Sequence, residues 1–198
     1  GSADVILEQD LLVRGAVTAP SSLLEVRGNL NLDPSRSLVV DSGSVVAISK
    51  SLANAGAIAP GIGGAGVVRM VGDGGLSGAG QFTGIEIDTA GLVAAQGGVL
   101  LADSLTLRSG TLSLVAGANL HVLGDLLATA GVLRGAAGSV LDVDGDVFLD
   151  AVTADVLGVP DLRCGGDYTA GAAFAPTNGT VFLDGTGDLK SLTGVLSF

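Results

Sequence analysis

Hydrophobic and polar residues alternate along short segments of the chain, and these segments recur at a constant spacing. The segments LHVLGDLLA, LDVDGDVFL, LRCGGDYTA and LDGTGDLKS begin 21 residues apart. When they are aligned, the residues predicted to point inward form three columns: Leu120, Leu141, Leu162 and Leu183; Val122, Val143, Cys164 and Gly185; and Leu126, Val147, Tyr168 and Leu189. Alternation with a period of two is typical of a β-strand with one buried face, so we expect these columns to stack in the interior.

A related repeat of 22 residues runs through the first half of the chain, where aligned segments begin at Leu24, Val46 and Val68. Residues 3–19 are out of register with this repeat and predict a short partial coil. Between the two repeats, the Gly-rich segment 72–84 is expected to insert extra residues. No segment of useful length has helical periodicity, and no Pro-rich or charged linker divides the chain.

A period of about 20 residues that carries several short β-segments is the signature of a solenoid. One coil buries too few aliphatic side chains to offset the entropy lost when it becomes ordered, so coils are stable only when they stack. Parallel strands joined by crossovers are right-handed as a rule. The sequence therefore predicts an all-β fold, a right-handed parallel β-helix with about 21–22 residues per coil.

We interpret residues 3–198 as a single β-helix segment and residues 1–2 as the remnant of a cleaved tag. The apolar alternation is still running at GVLSF (194–198), so we expect the segment to be part of a longer solenoid. The ends of such a stack expose unpaired strand edges, which predict edge-to-edge self-association.

Composition narrows the classes of function. The chain is 47% hydrophobic but has no Trp and only one Tyr, which indicates an aliphatic core. Its net charge is −11, and its nine Lys and Arg residues are scattered singly, which argues against nucleic acid and anionic membranes as partners. No apolar run approaches the roughly 20 residues of a membrane span, so membrane insertion is not expected. The one cysteine, Cys164, has no partner for an intramolecular disulfide.

The segment GTVFLDGTGDLKSLTGVLSF (179–198) resembles a repeat of large bacterial surface and secreted proteins of the autotransporter-passenger and filamentous-haemagglutinin-like kind. GVVRMVGDGGLSGAGQFTGIEI (66–87) is a weaker version of the same repeat. The resemblance implies a right-handed parallel β-helix, an extracellular or cell-surface location, and a non-enzymatic role as a stalk or adhesion segment. The partners that it implies are neighbouring coils of a parent chain and a glycan or protein receptor on another surface. It implies no catalytic residue.

Aspartates are concentrated in LDVDGDVFLD (141–150) and raise the question of calcium binding. The positions to compare with an EF-hand loop are Asp142, Asp144, Asp146, Val147, Asp150 and Thr153. An EF-hand requires Gly at the fourth of these positions and Glu at the last, between two helices, and this chain provides none of them. An EF-hand is therefore excluded.

A second calcium hypothesis concerns the Asp that follows Gly in each aligned segment. These residues are Asp125, Asp146, Asp167 and Asp188, with Asn29 and Asp73 in the corresponding place in the first half. On consecutive coils they would lie about 4.8 Å apart and would repel one another unless a cation bridged them or water solvated them. The two interpretations are a weak calcium ladder and a row of solvated bend residues. We favour the second and predict no cofactor.

Catalysis is the remaining alternative. The outward column beside Leu120 is predicted to contain His121, Asp142, Arg163 and Asp184, with Asp144 nearby. Two carboxylates about 5 Å or about 6.5–9.5 Å apart are what glycoside hydrolysis requires. The alternative function is thus a polysaccharide lyase or hydrolase, or a carbohydrate-binding β-helix, that uses Asp142, Asp144, Arg163 and Asp184. Because alternating charges also form cross-strand ion pairs and sugar-stacking aromatics are scarce, we predict that the protein is not an enzyme.

Overall fold

The computed structural model of the chain describes residues 4–19, 22–155, 157–176, 178–185 and 192–194. This part of the chain contains 23 β-strands and no α-helix. It accordingly has no helix that could cross a bilayer. The all-β prediction is confirmed.

The strands are short in the first half of the chain and longer in the second. In chain order the first twelve are β1 (Val5–Leu7), β2 (Leu11–Val13), β3 (Ala16–Thr18), β4 (Leu23–Val26), β5 (Leu30–Leu32), β6 (Ser37–Val40), β7 (Val45–Ile48), β8 (Leu52–Asn54), β9 (Ala57–Pro60), β10 (Val67–Met70), β11 (Gly74–Ser77) and β12 (Gln81–Phe82). The others are β13 (Gly84–Ala95), β14 (Val99–Ala102), β15 (Leu105–Leu114), β16 (Asn119–Val122), β17 (Leu126–Gly135), β18 (Val140–Val143), β19 (Val147–Ala154), β20 (Asp161–Cys164), β21 (Tyr168–Ala170), β22 (Val181–Leu183) and β23 (Leu192–Gly194).

These strands form three faces that run the length of the molecule. The first face stacks β1, β4, β7, β10, β13, β15, β17, β19, β21 and β23 in that order. The second stacks β2, β5, β8 and β11 and continues through the C-terminal halves of β13, β15, β17 and β19. The third stacks β3, β6, β9, β12, β14, β16, β18, β20 and β22. Neighbours in each face are parallel and one coil apart, so the chain winds into a β-solenoid of about eight turns.

The inward columns predicted from the repeats are confirmed through the body of the solenoid. The residues in register are Leu120, Leu141 and Leu162; Val122, Val143 and Cys164; Leu126, Val147 and Tyr168; and Leu24, Val46 and Val68. All of them are buried. Cys164 is therefore a core residue, as its inward phase predicts.

The predicted register is wrong in the last coil. Leu162 pairs with Val181, only 19 residues later, and Cys164 pairs with Leu183. Leu183 and Gly185 therefore do not occupy the columns predicted for them, and Leu183 is exposed. Leu189, predicted to follow Tyr168, lies outside the described residues, and the partner of Tyr168 is Leu192. The reason is that the segment between β21 and β22 differs in length from the earlier turns, and turn length is not constrained by the interior.

Two further expectations about spacing are corrected. The Gly-rich segment 72–84 shortens its coil instead of lengthening it, because Val67 pairs with Gly84 after only 17 residues. Residues 4–19 form a full turn with one strand on each face, not a partial coil. Short side chains account for the tight coil, since a Cβ at Gly78, where φ is +101°, would overlap the backbone of Asn54.

Leu141→Ala is expected to lower the free energy of unfolding by about 2–5 kcal/mol, because the side chain is fully buried between Leu120 and Leu162. Leu127→Ala is the matched control, because that leucine is 42% exposed on the first face, and its effect should stay within about 0.5 kcal/mol. Urea titrations monitored by circular dichroism measure both values. Equal losses for the two variants would contradict the assignment of inward and outward positions.

Candidate functional site

The outward column of the third face contains three of the four residues predicted for it. His121, Asp142 and Arg163 are in register on β16, β18 and β20. The fourth position belongs to Phe182 and not to Asp184, because β22 is displaced by two residues relative to the predicted repeat. We call these four residues the polar strip.

Side chains of the polar strip make contacts with neighbouring coils. His121 Nε2 lies 2.9 Å from Asp144 Oδ1, within hydrogen-bonding distance. The Arg163 guanidinium lies over the Phe182 ring, 5.6 Å from its centroid, and Arg163 Nη1 is 3.8 Å from Asp184 Oδ2. The structure thus brings His121 together with Asp144, and Arg163 together with Asp184. Both pairs are solvent-exposed, and ion pairs of this kind contribute about 0–1 kcal/mol each.

The shape of the surface around the polar strip limits its chemistry. The strip lies on the outside of a parallel sheet, and its aromatic ring is already in contact with Arg163. Two adjacent grooves of about 260 and 300 Å³ are found instead at the corner between the second and third faces, where they share Gly135, Ala136 and Leu157. No residue of the polar strip lines either groove. The strip can bind a ligand by hydrogen bonds and charge, but it does not enclose one.

The aspartates of the predicted ladder bond one coil to the next. The backbone N–H of Asp146 donates to Asp125 Oδ1 at 2.9 Å, and the N–H of Asp167 donates to Asp146 Oδ1 at 2.8 Å. Asp188 lies outside the described residues. These bonds lie at the corner between the third and first faces, where the chain turns between strands. The carboxylates therefore do more than solvate a bend, because they accept backbone hydrogen bonds that link successive coils.

A second row of the same kind lies at the corner between the first and second faces. Asn29 N–H donates to Asp10 Oδ1 at 2.7 Å, Ser51 N–H to Asn29 Oδ1 at 3.1 Å, and Gly75 N–H to Ser51 Oγ at 3.0 Å. Hydrogen bonds from the backbone and side chain of Asn29 hold the pKa of Asp10 below its usual range. The N–H of Leu92 likewise donates to Asp73 Oδ1.

The expectation that Asn29 and Asp73 align with Asp125 is therefore wrong. Asp125 lies at the corner between the third and first faces, and the other two residues lie at the corner between the first and second faces. The 21-residue and 22-residue repeats were aligned on different faces, since Leu24 belongs to the first face and Leu141 to the third. Alternation is the same on every face, so it could not distinguish them.

The glycine before each ladder aspartate has a steric cause. A Cβ at Gly145 would overlap Asp125 Oδ1 and lie 2.6 Å from the carbonyl oxygen of Gly124. A Cβ at Gly166 would overlap Asp146 Oδ1 in the same way. The Gly-Asp pair thus recurs because the carboxylate of one coil occupies the space that a side chain on the next coil would need.

Sequence reasoning missed two ion-pair groups that also join adjacent coils. Glu86 is buried on the first face, where its Oε1 contacts Arg69 Nε and its Oε2 lies 2.7 Å from Arg108 Nε. On the second face, Nε and Nη2 of Arg134 donate to Asp155 Oδ2 at 2.9 and 2.7 Å. These guanidinium bonds, followed by one from the Leu157 N–H, lower the pKa of Asp155. Opposite charges one coil apart were the available signal, but the register needed to pair them was known only for the 21-residue repeats.

Metal binding and relatedness complete the description of the site. Within the described ranges, no group of three or more His, Cys, Asp or Glu side chains is arranged to hold a metal ion. The calcium ladder stays a prediction. Comparisons with protein-family models, with curated proteins and with solved structures find no match for this chain.

Gly145→Ala is expected to destabilise the solenoid by about 1–3 kcal/mol, because the new methyl group forces the Asp125 carboxylate and the backbone of Gly124 to move. Gly98→Ala is the matched control, because a Cβ there meets no atom within 4 Å. Thermal and urea unfolding of the two variants measure the difference. A Gly145→Ala protein as stable as the control would show that the ladder does not require glycine.

Asp155→Asn is expected to lower the melting temperature at neutral pH and to have less effect in acid. The pKa of Asp155 in the folded state is below its ordinary value of 3.8. The carboxylate therefore stabilises the fold above pH 3.8, and this contribution is lost as the pH falls from 3.8 through the lowered value. Melting curves from pH 7 downward should show the gap between wild type and variant narrowing. The control is Asp150→Asn, an exposed residue of β19, for which a similar narrowing would be contrary evidence.

Proposed function

We propose that this chain is a non-enzymatic structural segment of a bacterial surface or secreted protein, which acts as a stiff stalk or as an adhesion segment. The observation that carries the proposal is the use of polar side chains between coils. Asp10, Asn29, Asp125 and Asp146 all direct a side-chain oxygen at a backbone N–H one coil away. Carboxylates and amides used in this way stiffen the stack.

The dimensions and charge of the molecule favour the same role. About eight turns at roughly 4.8 Å per turn make a rod about 40 Å long, with hydrogen-bonded strands on all three faces. The net charge of −11 keeps such a rod soluble and disfavours non-specific association. Extracellular or cell-surface location belongs to the proposal and is supported by the resemblance of residues 66–87 and 179–198 to surface-protein repeats.

The alternative with an enzymatic or carbohydrate-binding polar strip is less well supported. Asp142 and Arg163 are adjacent, but Asp184 is not in the column with them. Asp144 is bonded to His121, and Arg163 is in contact with Phe182. The surface provides charge without a cleft that would exclude water from a reacting bond.

Incubation with a panel of polyuronates and neutral polysaccharides, with and without calcium, is expected to release neither reducing ends nor unsaturated uronides. The variant to compare is Asp142→Ala, and Asp150→Ala is the control because it removes an exposed carboxylate outside the polar strip. Product formation that Asp142→Ala abolishes and Asp150→Ala leaves intact would overturn the proposal in favour of an enzyme.

A glycan array and a cell-binding screen separate the two roles within the proposal. Retention on one glycan class or one cell surface supports adhesion, and calcium-dependent retention would support the Asp ladder as a metal site. A chain that binds neither surface acts as a stalk.

A further inference from the structure

The first coil has an unpaired edge on all three faces. Among the described residues, β1 pairs only with β4, β2 only with β5, and β3 only with β6. Leu11 N–H donates to the carbonyl of Asn29 in the next coil, and the carbonyl of Leu7 accepts from Arg27 N–H. Alternate residues of a strand direct their backbone groups to opposite sides, so the N–H and C=O groups of Ile6 and Leu12 point to the free edge.

The interior at this edge is half covered. The inward residues Leu7, Leu11 and Val17 are only partly buried, although they pack against the core. Their register partners one coil further on are Val26, Leu30 and Leu38, and each of these is 0% exposed. The same columns thus go from half-exposed to fully covered with the addition of one coil, which shows what a coil laid on the free edge would bury.

The edge lacks the features that normally prevent strand addition. Its strands read VIL, LLV and AVT, with no proline and no charged residue, and their pairings with the second coil have no bulge. The charges in the turns of the first coil are directed at the second coil: Glu8 pairs with Arg27, and the Asp10 carboxylate accepts from Asn29. Little charge is left to repel a partner at the free edge.

We propose that the first coil is a docking surface for a second copy of this chain, which joins it edge to edge as a two-fold symmetric dimer. A row of alternating N–H and C=O groups is complementary to itself when a two-fold axis perpendicular to the solenoid reverses its direction. All strand pairs across the interface are then antiparallel, and the half-exposed columns of the two copies form one continuous core. The interface continues the coil-on-coil packing already present in each molecule, and it rests on the fold alone, independently of the proposed function.

Leu12→Pro tests the interface, because proline removes an N–H that points to the free edge while the side chain is exposed. Size-exclusion chromatography with light scattering should give twice the 19.2 kDa chain mass for the wild type and a single chain mass for the variant. Ile6→Pro repeats the test on the first face. Leu12→Ala and Ile6→Ala are the matched controls and should remain dimeric. Far-UV circular dichroism checks that each variant keeps its β-structure.

Hydrogen exchange of the wild-type protein gives a readout that does not depend on variants. The amides of Ile6 and Leu12 should become more protected as the protein concentration rises, whereas the amides of the second coil should not change. A wild-type chain that remains monomeric at every concentration, or an oligomer that both proline variants retain, would overturn the proposal. An assembly larger than a dimer would overturn the two-fold arrangement in favour of head-to-tail stacking.

Discussion

The distance between one coil and the next is the constraint on which the rest of the structure depends. Parallel strands hydrogen-bond at about 4.8 Å, so each residue has the equivalent residue of the neighbouring coil directly above or below it. Inward positions must then be apolar and of compatible size, as Leu120, Leu141 and Leu162 are. Turns must also leave room for one another, which accounts for glycine at Gly145 and Gly166.

The same distance gives polar side chains at the corners a structural role. Where the chain turns, backbone N–H groups lose their strand partners, and an unpaired N–H is costly unless another acceptor replaces the carbonyl. The carboxylates of Asp125 and Asp146 provide that acceptor from one coil away. Neither the calcium interpretation nor the solvation interpretation of these residues included this role, which depends on the direction of the side chain and not only on its spacing.

Charge outside the corners is arranged by the same rule. Glu86 lies between arginines of the coils on either side, and Arg134 holds Asp155 of the following coil. Alternating charges along the stack reduce repulsion within an acidic molecule and leave few charged groups clustered around a possible ligand. An extended, stiff and soluble rod follows more directly from this arrangement than an enclosed reaction site.

The sequence by itself determined the alternation of inward and outward residues and the 21-residue register from Leu120 to Leu162, because stacking equivalent coils requires equivalent apolar positions. Only the tertiary structure decided which face each segment occupies, since alternation is identical on all three. It also decided where coils shorten, as between Val67 and Gly84, because a turn on the surface can change length without disturbing the core. The coil-to-coil partners of Asp125, Glu86 and Asp155 likewise depended on the stacked backbone, which alone brings residues from separate coils into contact.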